Sequence, residues 1–174
     1  MSISAQALPV DALLQRHREQ GAYTDCYTTQ VSRVVTLADF VVAFYTTPLF
    51  RVERLLLRVV LGRGSTDREA LDIATGARES FAAWSVESRG DEELLLADFS
   101  GRTRSWFKVA PLANESTQLH FGSAVVATRR DAARGAMSMP GGRFLLSFHR
   151  IYSRLLLAAA ARRLRRTQPG GHAI

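Results

Sequence analysis

The sequence is poor in the residue types that build covalent or metal-based sites. Cys26 is the single cysteine, so no internal disulfide can form, which fits a protein of a reducing compartment. The four histidines are His17, His120, His149 and His172. None of them is spaced as HxH, HxxxH or HExxH, the patterns that bring imidazoles to one metal ion. P-loop, GxGxxG and GxSxG motifs are also missing, so the sequence predicts neither a metal site nor a cofactor.

Long hydrophobic runs are missing as well. The longest candidates, Leu55–Leu61, which Arg58 interrupts, and Leu155–Ala161, are bounded by arginines and fall far short of the roughly 20 residues that cross a bilayer. The N-terminus has no basic segment followed by an apolar core, so it does not look like a secretory signal. These absences predict a cytoplasmic protein without a transmembrane segment.

Lysine is nearly absent, because Lys108 is the only one and arginine supplies the remaining positive charge. The net charge is +7, and much of it comes from one cluster near the C-terminus. The cluster consists of Arg162, Arg163, Arg165 and Arg166. One interpretation is contact with nucleic acid or anionic lipid. The other, which the near balance of charge elsewhere favours, is a solvated, frayed helix end whose arginines suit the negative end of the helix dipole.

The composition is that of one globular domain. The chain has 174 residues, of which 47% are hydrophobic and 22% are charged, enough to bury a core without disulfides or metals. We expect residues 1–20 to form a loose tail and a short helix within Asp11–Gln20. We expect residues 21–168 to form a single domain and residues 169–174 a disordered C-terminal tail.

Capping signals mark the starts of two helices. Thr36 precedes a helix that begins near Leu37, with Asp39 in its first turn, where a carboxylate favours the helix dipole. Ser65 or Thr66 caps a later helix that runs to about Arg78, and Glu69 has the capping-box spacing from Thr66. Apolar residues at helical spacing predict a further helix between these two, at Leu49–Leu61.

Runs rich in β-branched and aromatic residues predict five strands. They are Tyr23–Val35, Phe81–Ser88, Glu93–Phe99, Thr103–Val109 and Thr117–Thr128. Short turn sequences separate the last four, so these strands form an antiparallel meander. A long helix follows at Arg143–Arg166, with one apolar stripe formed by Phe144, Phe148, Ile151, Leu155 and Ala159. The fold class is therefore α+β, with this helix covering one face of the sheet.

The Ser100-Gly101 turn lets the register of one hairpin be predicted. A two-residue turn pairs Phe99 with Arg102, so that Asp98 faces Thr103, Leu96 faces Ser105, and Leu94 faces Phe107. These side chains share one face of the sheet, because neighbours along a strand alternate. Arg102, Arg104 and Lys108 then belong to the other face, in water. The same alternation turns Phe121 and Ser123 of the next strand toward the protected face, with His120 outward.

An apolar surface with a few convergent polar groups is the usual form of a small-molecule site. We therefore predict a ligand cavity between the sheet and the terminal helix. Its predicted lining is Leu96, Asp98, Ser105, Phe107, Phe121, Ser123, Phe148, His149 and Tyr152. Two alternatives stay open: His149 could be satisfied by a backbone carbonyl or a carboxylate, and Asp98 could cap the hairpin at its rim.

Three stretches carry a resemblance to a known group: DFVVAFYTTPLFRVERLLLR, DEELLLADFSGRTRSWFKV and FHRIYSRLLLAAAARRL. With the order of elements, they resemble the START-like, helix-grip superfamily of polyketide cyclases and lipid-transfer proteins, and more narrowly an uncharacterised bacterial family in or near it. That family's long helix carries a Phe-His-Arg-like sequence, as Phe148-His149-Arg150 does here. The resemblance covers residues 24–166. It implies a helix-grip fold, in which a curved antiparallel sheet packs against a long C-terminal helix and two or three short helices follow the first strand. It implies a cavity but no reaction.

Three functions are compatible with these features. The favoured one is binding of a small apolar or amphipathic molecule in the cavity. The second is an enzyme of the cyclase or hydratase kind, with His149 and Asp98 as acid and base. The third is an interaction or membrane-surface protein that uses the arginine-rich helix end. Catalysis, ligand identity and oligomeric state are left open by the sequence.

Overall fold

A seven-stranded antiparallel sheet and one long helix form the frame of the protein. The computed structural model describes residues 2–52, 54, 65–126 and 140–166, without the side chains of residues 140–149. The strands are β1 (Ser4–Ala5), β2 (Tyr23–Val31), β3 (Ser80–Phe81), β4 (Trp84–Arg89), β5 (Glu93–Asp98), β6 (Thr103–Leu112) and β7 (Ser116–Val125). They are ordered β1-β2-β7-β6-β5-β4-β3. The helices are α1 (Gln15–Glu19), α2 (Leu37–Tyr45), α3 (Asp67–Thr75) and α4 (Pro140–Arg166).

This arrangement confirms the α+β, helix-grip-like architecture. The predicted loose tail is wrong at its start, because Ser4 and Ala5 pair with Thr28 and Tyr27 as an edge strand. The predicted strand at residues 81–88 is divided into β3 and β4. The division follows from the backbone of Ala82, whose φ of 51° interrupts an extended strand.

Both predicted caps are confirmed as complete capping boxes. The Thr36 hydroxyl accepts from the Asp39 backbone N–H at 3.1 Å, and the Asp39 carboxylate accepts from the Thr36 N–H at 3.2 Å. Thr66 and Glu69 repeat this exchange at the start of α3. The helix predicted at Leu49–Leu61 is helical at residues 49–52 and 54, and residues 53 and 55–61 of that prediction lie outside the described part of the chain.

The predicted hairpin register is confirmed. Leu94 pairs with Phe107 and Leu96 pairs with Ser105 across β5 and β6. The ladder ends before Phe99, so the turn comprises residues 99–102 instead of two residues. The register is nevertheless the same. The prediction paired residues 99 and 102, and the structure moves one residue of each strand into the turn, so the remaining pairs are unchanged.

Aromatic rings fill the half of the inner, helix-facing side that lies toward α2. The ring of Phe44 lies 4.9 Å from that of Phe107 and 4.6 Å from that of Phe121, and Phe40 lies 5.5 Å from Phe107. Such edge-to-face and tilted contacts add to the burial of apolar area. The last turns of α4 complete this core with Leu156, Leu157, Ala160, Ala161 and Leu164. This end of the sheet is therefore closed by side chains.

The apolar stripe predicted for the terminal helix is wrong in its described part. Ile151 is 62% exposed and Leu155 is 53% exposed, whereas Leu156, Leu157 and Leu164 face the sheet. Residues 155–161 are apolar on all sides of the helix. The spacing of apolar residues therefore could not predict which side of the helix is buried. The side chains of Phe144 and Phe148 lie outside the described residues.

The outer face of the sheet is covered by an N-terminal cover, which we define as residues 8–20. Trp106 is fully buried there beside Leu14 and Cys26, and its indole N–H donates to Glu93 at 2.7 Å. Burial, followed by the charge of Asp25, raises the pKa of the Cys26 thiol to about 11, so the thiol acts as an apolar packing group. The sequence left open whether Trp106 is covered, and the structure shows that it is.

The predicted wet face is consequently wrong for two of its three basic residues, since Arg102 is exposed as predicted but Lys108 and Arg104 are not. The side chains of Lys108 and Arg104 are only 15% and 14% exposed. Lys108 donates to Asp11 of the cover at 2.8 Å, and Arg104 pairs with Glu87. His120, also predicted to point outward into water, is 8% exposed. The cover is far from these strands in the sequence, so strand alternation alone could not predict that the outer face is buried.

Gly122 marks the closest approach between the cover and the sheet. A Cβ atom at this position would lie 2.9 Å from Trp106 Cε3, 3.0 Å from the Asp25 carbonyl oxygen and 3.2 Å from Leu14 Cδ2. We expect Gly122→Ala to lower the free energy of unfolding by about 1–3 kcal/mol through overpacking. Urea denaturation measures this, and Gly90→Ala is the control, because no atom lies within 4 Å of its new Cβ. Equal stability of the two variants would contradict the packing described.

Glu87 ties the cover to the sheet through a pH-sensitive contact. Burial favours its neutral form, but hydrogen bonds from His17, at 2.7 Å, and from Arg16, together with the charge of Arg104, outweigh burial. They hold the pKa of Glu87 below its usual value of 4.5. A lowered folded-state pKa stabilises the protein above the unfolded pKa, and this contribution is lost as the pH falls through the folded value.

We therefore expect Glu87→Gln to be less stable than the wild type at pH 7. The difference should shrink as the pH falls below 4.5, the usual pKa from which Glu87 is lowered. Urea denaturation at a series of pH values measures it, with exposed Glu79→Gln as the matched control. A difference that is independent of pH would show that the ion pairs of Glu87 do not carry the effect.

Candidate functional site

Polar side chains form a row across the inner face, beside the aromatic core. Asp25 of β2 pairs with Ser123 of β7, and Ser123 pairs with Ser105 of β6. Leu96 of β5 lies opposite Ser105 and extends the row. Residues that are opposite on neighbouring antiparallel strands lie on the same face. We call Asp25, Ser123 and Ser105 the polar row.

The structure brings together five of the predicted site residues. They are Leu96, Ser105, Phe107, Phe121 and Ser123, which occupy two adjacent rows of the inner face. Leu96 and Phe107 have no exposed surface, and Phe121 is 4% exposed. The aromatic residues are core residues packed against α2 and not walls of an open cavity. Space for a ligand is therefore to be sought at the polar row.

Asp25 is the residue that the sequence analysis missed. Its Oδ1 accepts hydrogen bonds from the backbone N–H of Ser123, at 3.2 Å, and from the Ser123 hydroxyl. Its Oδ2 is buried and has no hydrogen-bond partner among the described residues. Buried polar atoms are nearly always satisfied, so this oxygen is an exception that needs an explanation. One feature of the sequence could have pointed to Asp25. Tyr23 and Tyr27 are two residues before and after it, so all three side chains lie on the same face of β2.

Arginines of α4 lie against the tyrosines that flank Asp25. Arg150 hydrogen bonds to Tyr27, and this contact raises the pKa of the arginine. The Arg154 guanidinium lies 5.8 Å from the centre of the Tyr27 ring, a cation–π contact. Burial, assisted by the negative charge of Asp25, raises the pKa of Tyr23. The site thus combines a carboxylate with neutral phenols and has positive charge at its edge.

The terminal-helix candidates are only partly described. Tyr152 is half-buried and packs against the inner core. Phe148 and His149 are part of α4. This helix runs along β2, with Arg150 near Tyr27 and Leu164 near Arg33. Their side chains lie outside the described residues. The polar row lies toward the first half of α4, because Asp25 precedes Tyr27 in β2.

Asp98 caps the turn between β5 and β6, as the rim alternative proposed. Its Oδ1 accepts from the backbone N–H groups of Arg102 and Thr103, at 2.8 and 2.9 Å. Its Oδ2 accepts from the backbone N–H and the hydroxyl of Ser100. Both carboxylate oxygens are therefore engaged by the turn, and the predicted acid–base pair of Asp98 with His149 gains no support from the described atoms.

The remaining chemistry of the described residues is limited. No group of three or more His, Cys, Asp or Glu side chains within them could hold a metal ion. Across the same residues, no helix combines the length and the apolar character needed to cross a membrane. Arg162, Arg163, Arg165 and Arg166 are all exposed. The predicted fraying is wrong up to Arg166, because Leu164 is buried and Arg165 donates to the carbonyl of Gln30 at 2.6 Å.

Comparisons with known proteins give one structural match. No protein-family model matches the sequence, and no curated protein matches it either. Among solved structures, the chain is similar to the crystal structure of CalU16 from Micromonospora echinospora, with a TM-score of 0.33 and 11% sequence identity. The similarity covers 93% of this chain and 90% of that chain. The strand order and the position of α4 against the sheet are what make the fold helix-grip-like.

The turn-capping role of Asp98 can be separated from a chemical one. We expect Asp98→Ala to lower the free energy of unfolding by about 1–3 kcal/mol, because several donors lose a charged acceptor. Asp98→Asn keeps one acceptor oxygen and should recover part of the loss. Thermal or urea denaturation measures both, with exposed Asp91→Ala as the control. Unchanged stability of Asp98→Ala would contradict the capping role.

Proposed function

We propose that the protein binds a small amphipathic molecule at the polar row, between the sheet and the first half of α4. The observation that carries the proposal is the buried Oδ2 of Asp25, which has no partner among the described residues. A buried acceptor left unsatisfied costs on the order of 1–3 kcal/mol, and more when it is charged. A ligand that donates a hydrogen bond to this oxygen would remove that cost.

The surroundings of Asp25 define the kind of ligand. Ser123 already satisfies Oδ1 of Asp25. The lone pairs of Oδ2 are therefore complemented by one hydrogen-bond donor of the ligand, a hydroxyl or an amine. Ser105 offers a further hydroxyl in the same row. The buried side chains of Leu96 and Phe121 make the surroundings of the row apolar. A molecule with one polar donor end and an apolar body matches this combination.

The aromatic core limits the size of such a ligand. Phe44 packs directly on Phe107 and Phe121, so the inner face is closed beyond these rings. The ligand therefore occupies only the part of the sheet near Asp25, Ser105 and Ser123. This supports a small molecule that lies across the strands and not a long chain that threads along the entire sheet.

The proposal is one of binding and not of catalysis. Asp98 is committed to its turn, and the described groups around Asp25 include the Ser123 hydroxyl, the Tyr23 phenol and the Arg150 guanidinium. A hydroxyl such as that of Ser123, which donates to a carboxylate, is satisfied by that bond. No observation among the described residues singles out an acid and a base placed to act on one bond.

Native mass spectrometry of the protein purified from its own host tests the proposal. We expect the wild type to retain a small molecule that is released on unfolding. Asp25→Asn keeps the side-chain volume but presents an amide, whose NH2 group repels a donor when it faces the ligand. We expect this variant to retain at least about tenfold less ligand, equivalent to the loss of one good hydrogen bond.

The control variant is Asp91→Asn, which makes the same carboxylate-to-amide substitution at an exposed position away from the inner face. The free energy of unfolding of ligand-free Asp25→Asn should equal or exceed that of the wild type, because a buried charge is removed. This measurement separates loss of the site from loss of the fold. A wild type without any retained molecule, or equal retention by Asp25→Asn, would overturn the proposal.

A further inference from the structure

The positive charge of the protein is concentrated on α4. This helix contains seven arginines and no acidic residue, and the net charge of the whole chain is +7. The rest of the chain is therefore balanced between acidic and basic residues. A helix that carries the entire net charge creates a local positive potential, which attracts anionic partners.

The exposed side of α4 is apolar in its middle and basic toward its end. Ile151 and Leu155 are one turn apart and are 62% and 53% exposed. Arg162 and Arg166 are also exposed, and the helical period places them on the same side of the helix, about two to three turns further on. We call Ile151, Leu155, Arg162 and Arg166 the outer stripe of α4.

The opposite side of α4 fixes the outer stripe in place. Leu156, Leu157 and Leu164 are buried against the sheet. Arg33 donates to the carbonyl of Leu164 at 2.9 Å, and Arg165 donates to the carbonyl of Gln30 at 2.6 Å. These contacts hold the last turns of α4 to β2. The outer stripe is thus presented by a docked helix, so a partner meets an ordered surface.

We propose that the outer stripe of α4 docks the protein onto the surface of an anionic lipid bilayer. Ile151 and Leu155 enter the boundary between headgroups and acyl chains, while Arg162 and Arg166 contact lipid phosphates. Apolar residues beside arginines on one face are the arrangement by which interfacial helices bind such surfaces. Each basic residue close to an anionic surface strengthens the attraction, and salt weakens it.

Two other occupants fit the stripe less well. Nucleic acid offers a dense row of phosphates to arginines, but it offers no apolar surface of comparable kind to Ile151 and Leu155, the other half of the stripe. A second copy of the chain could cover the apolar pair, but it would bring two arginine-rich helices of equal charge together. Of these three occupants, the anionic bilayer complements both halves of the stripe.

A polar groove beside the stripe has room for a headgroup. It has a volume of about 370 Å³ and is lined by Ser2, Thr29, Gln30, Ser32 and Arg165. Serine hydroxyls and an arginine are suitable donors to a phosphate, whereas the Thr29 hydroxyl donates to the Ser2 carbonyl at 3.2 Å. The groove lies at the end of β2 near Gln30, away from Asp25 near its start. The membrane proposal is therefore independent of ligand binding at the polar row.

Sedimentation of the full chain with lipid vesicles tests the proposal. The probes are vesicles of phosphatidylcholine alone and vesicles that also contain about a quarter phosphatidylserine. We expect binding only to the anionic vesicles, and its loss in 0.5 M salt, because salt of about this strength shortens the Debye length to a few ångströms. Double substitution with Arg162→Gln and Arg166→Gln should weaken binding about thirtyfold, the product of two single contributions.

Double substitution with Ile151→Ser and Leu155→Ser should also weaken binding by at least about tenfold, because the insertion of apolar area is lost. The matched controls are Leu71→Ser and Arg68→Gln, which alter exposed residues of α3. They should bind like the wild type. All variants should keep the wild-type circular dichroism spectrum, since the substituted residues are exposed.

Three outcomes would overturn the proposal. The first is no binding to anionic vesicles at low salt. The second is equal binding by the outer-stripe variants and the controls. The third is a wild-type dimer, detected by analytical ultracentrifugation, that becomes a monomer on substitution of Ile151 and Leu155, because the apolar pair would then belong to an interface between copies of the chain. Tight binding to duplex DNA without vesicle binding would assign the arginines to nucleic acid instead.

Discussion

The packing of Phe44 against Phe107 and Phe121 is the contact on which the inner side of the protein depends. It brings α2 onto the middle strands of the sheet at ring distances of 4.9 and 4.6 Å. The second half of α4 can then lie against β2 and close the same end with aliphatic side chains. Asp25, Ser105 and Ser123 meet at the other end of the inner face, whereas Thr29 and Thr117 at the closed end are buried and donate to backbone carbonyls. The site is thus what remains of a face whose greater part forms the core.

The register of the middle strands could be predicted from the sequence, because it depends on local information. The short turn after Asp98 and the alternation of Leu94, Leu96, Ser105 and Phe107 define which residues are opposite one another. Those residues do share the inner face. The capping boxes were predictable for the same reason, since each involves residues only three positions apart. Most of the fold class follows from such short-range patterns.

The features that the sequence did not reveal depend on distant partners. Strand alternation places Trp106 and Lys108 on the outer face of the sheet, but it does not show that the N-terminal cover buries them there. The buried side of α4 was misassigned because Leu155 and Leu156 are equally apolar and only packing distinguishes them. Asp25 was missed because a single acidic residue in a strand of mixed polarity has no pattern of its own. Its significance appears only when the hydrogen bonds around it are counted.

The N-terminal cover has a consequence for the order in which the protein can form. Residues 8–20 leave the ribosome before β5, β6 and β7, which form the surface that receives them. Asp11 and Lys108, for example, are separated by 97 positions in the sequence, and closing such a long loop is entropically costly. The outer hydrophobic cluster therefore completes after most of the chain has been synthesised. Until then the apolar residues of the cover, among them Leu8 and Leu14, are exposed, and chaperones that bind exposed apolar segments have a natural target at the start of this chain.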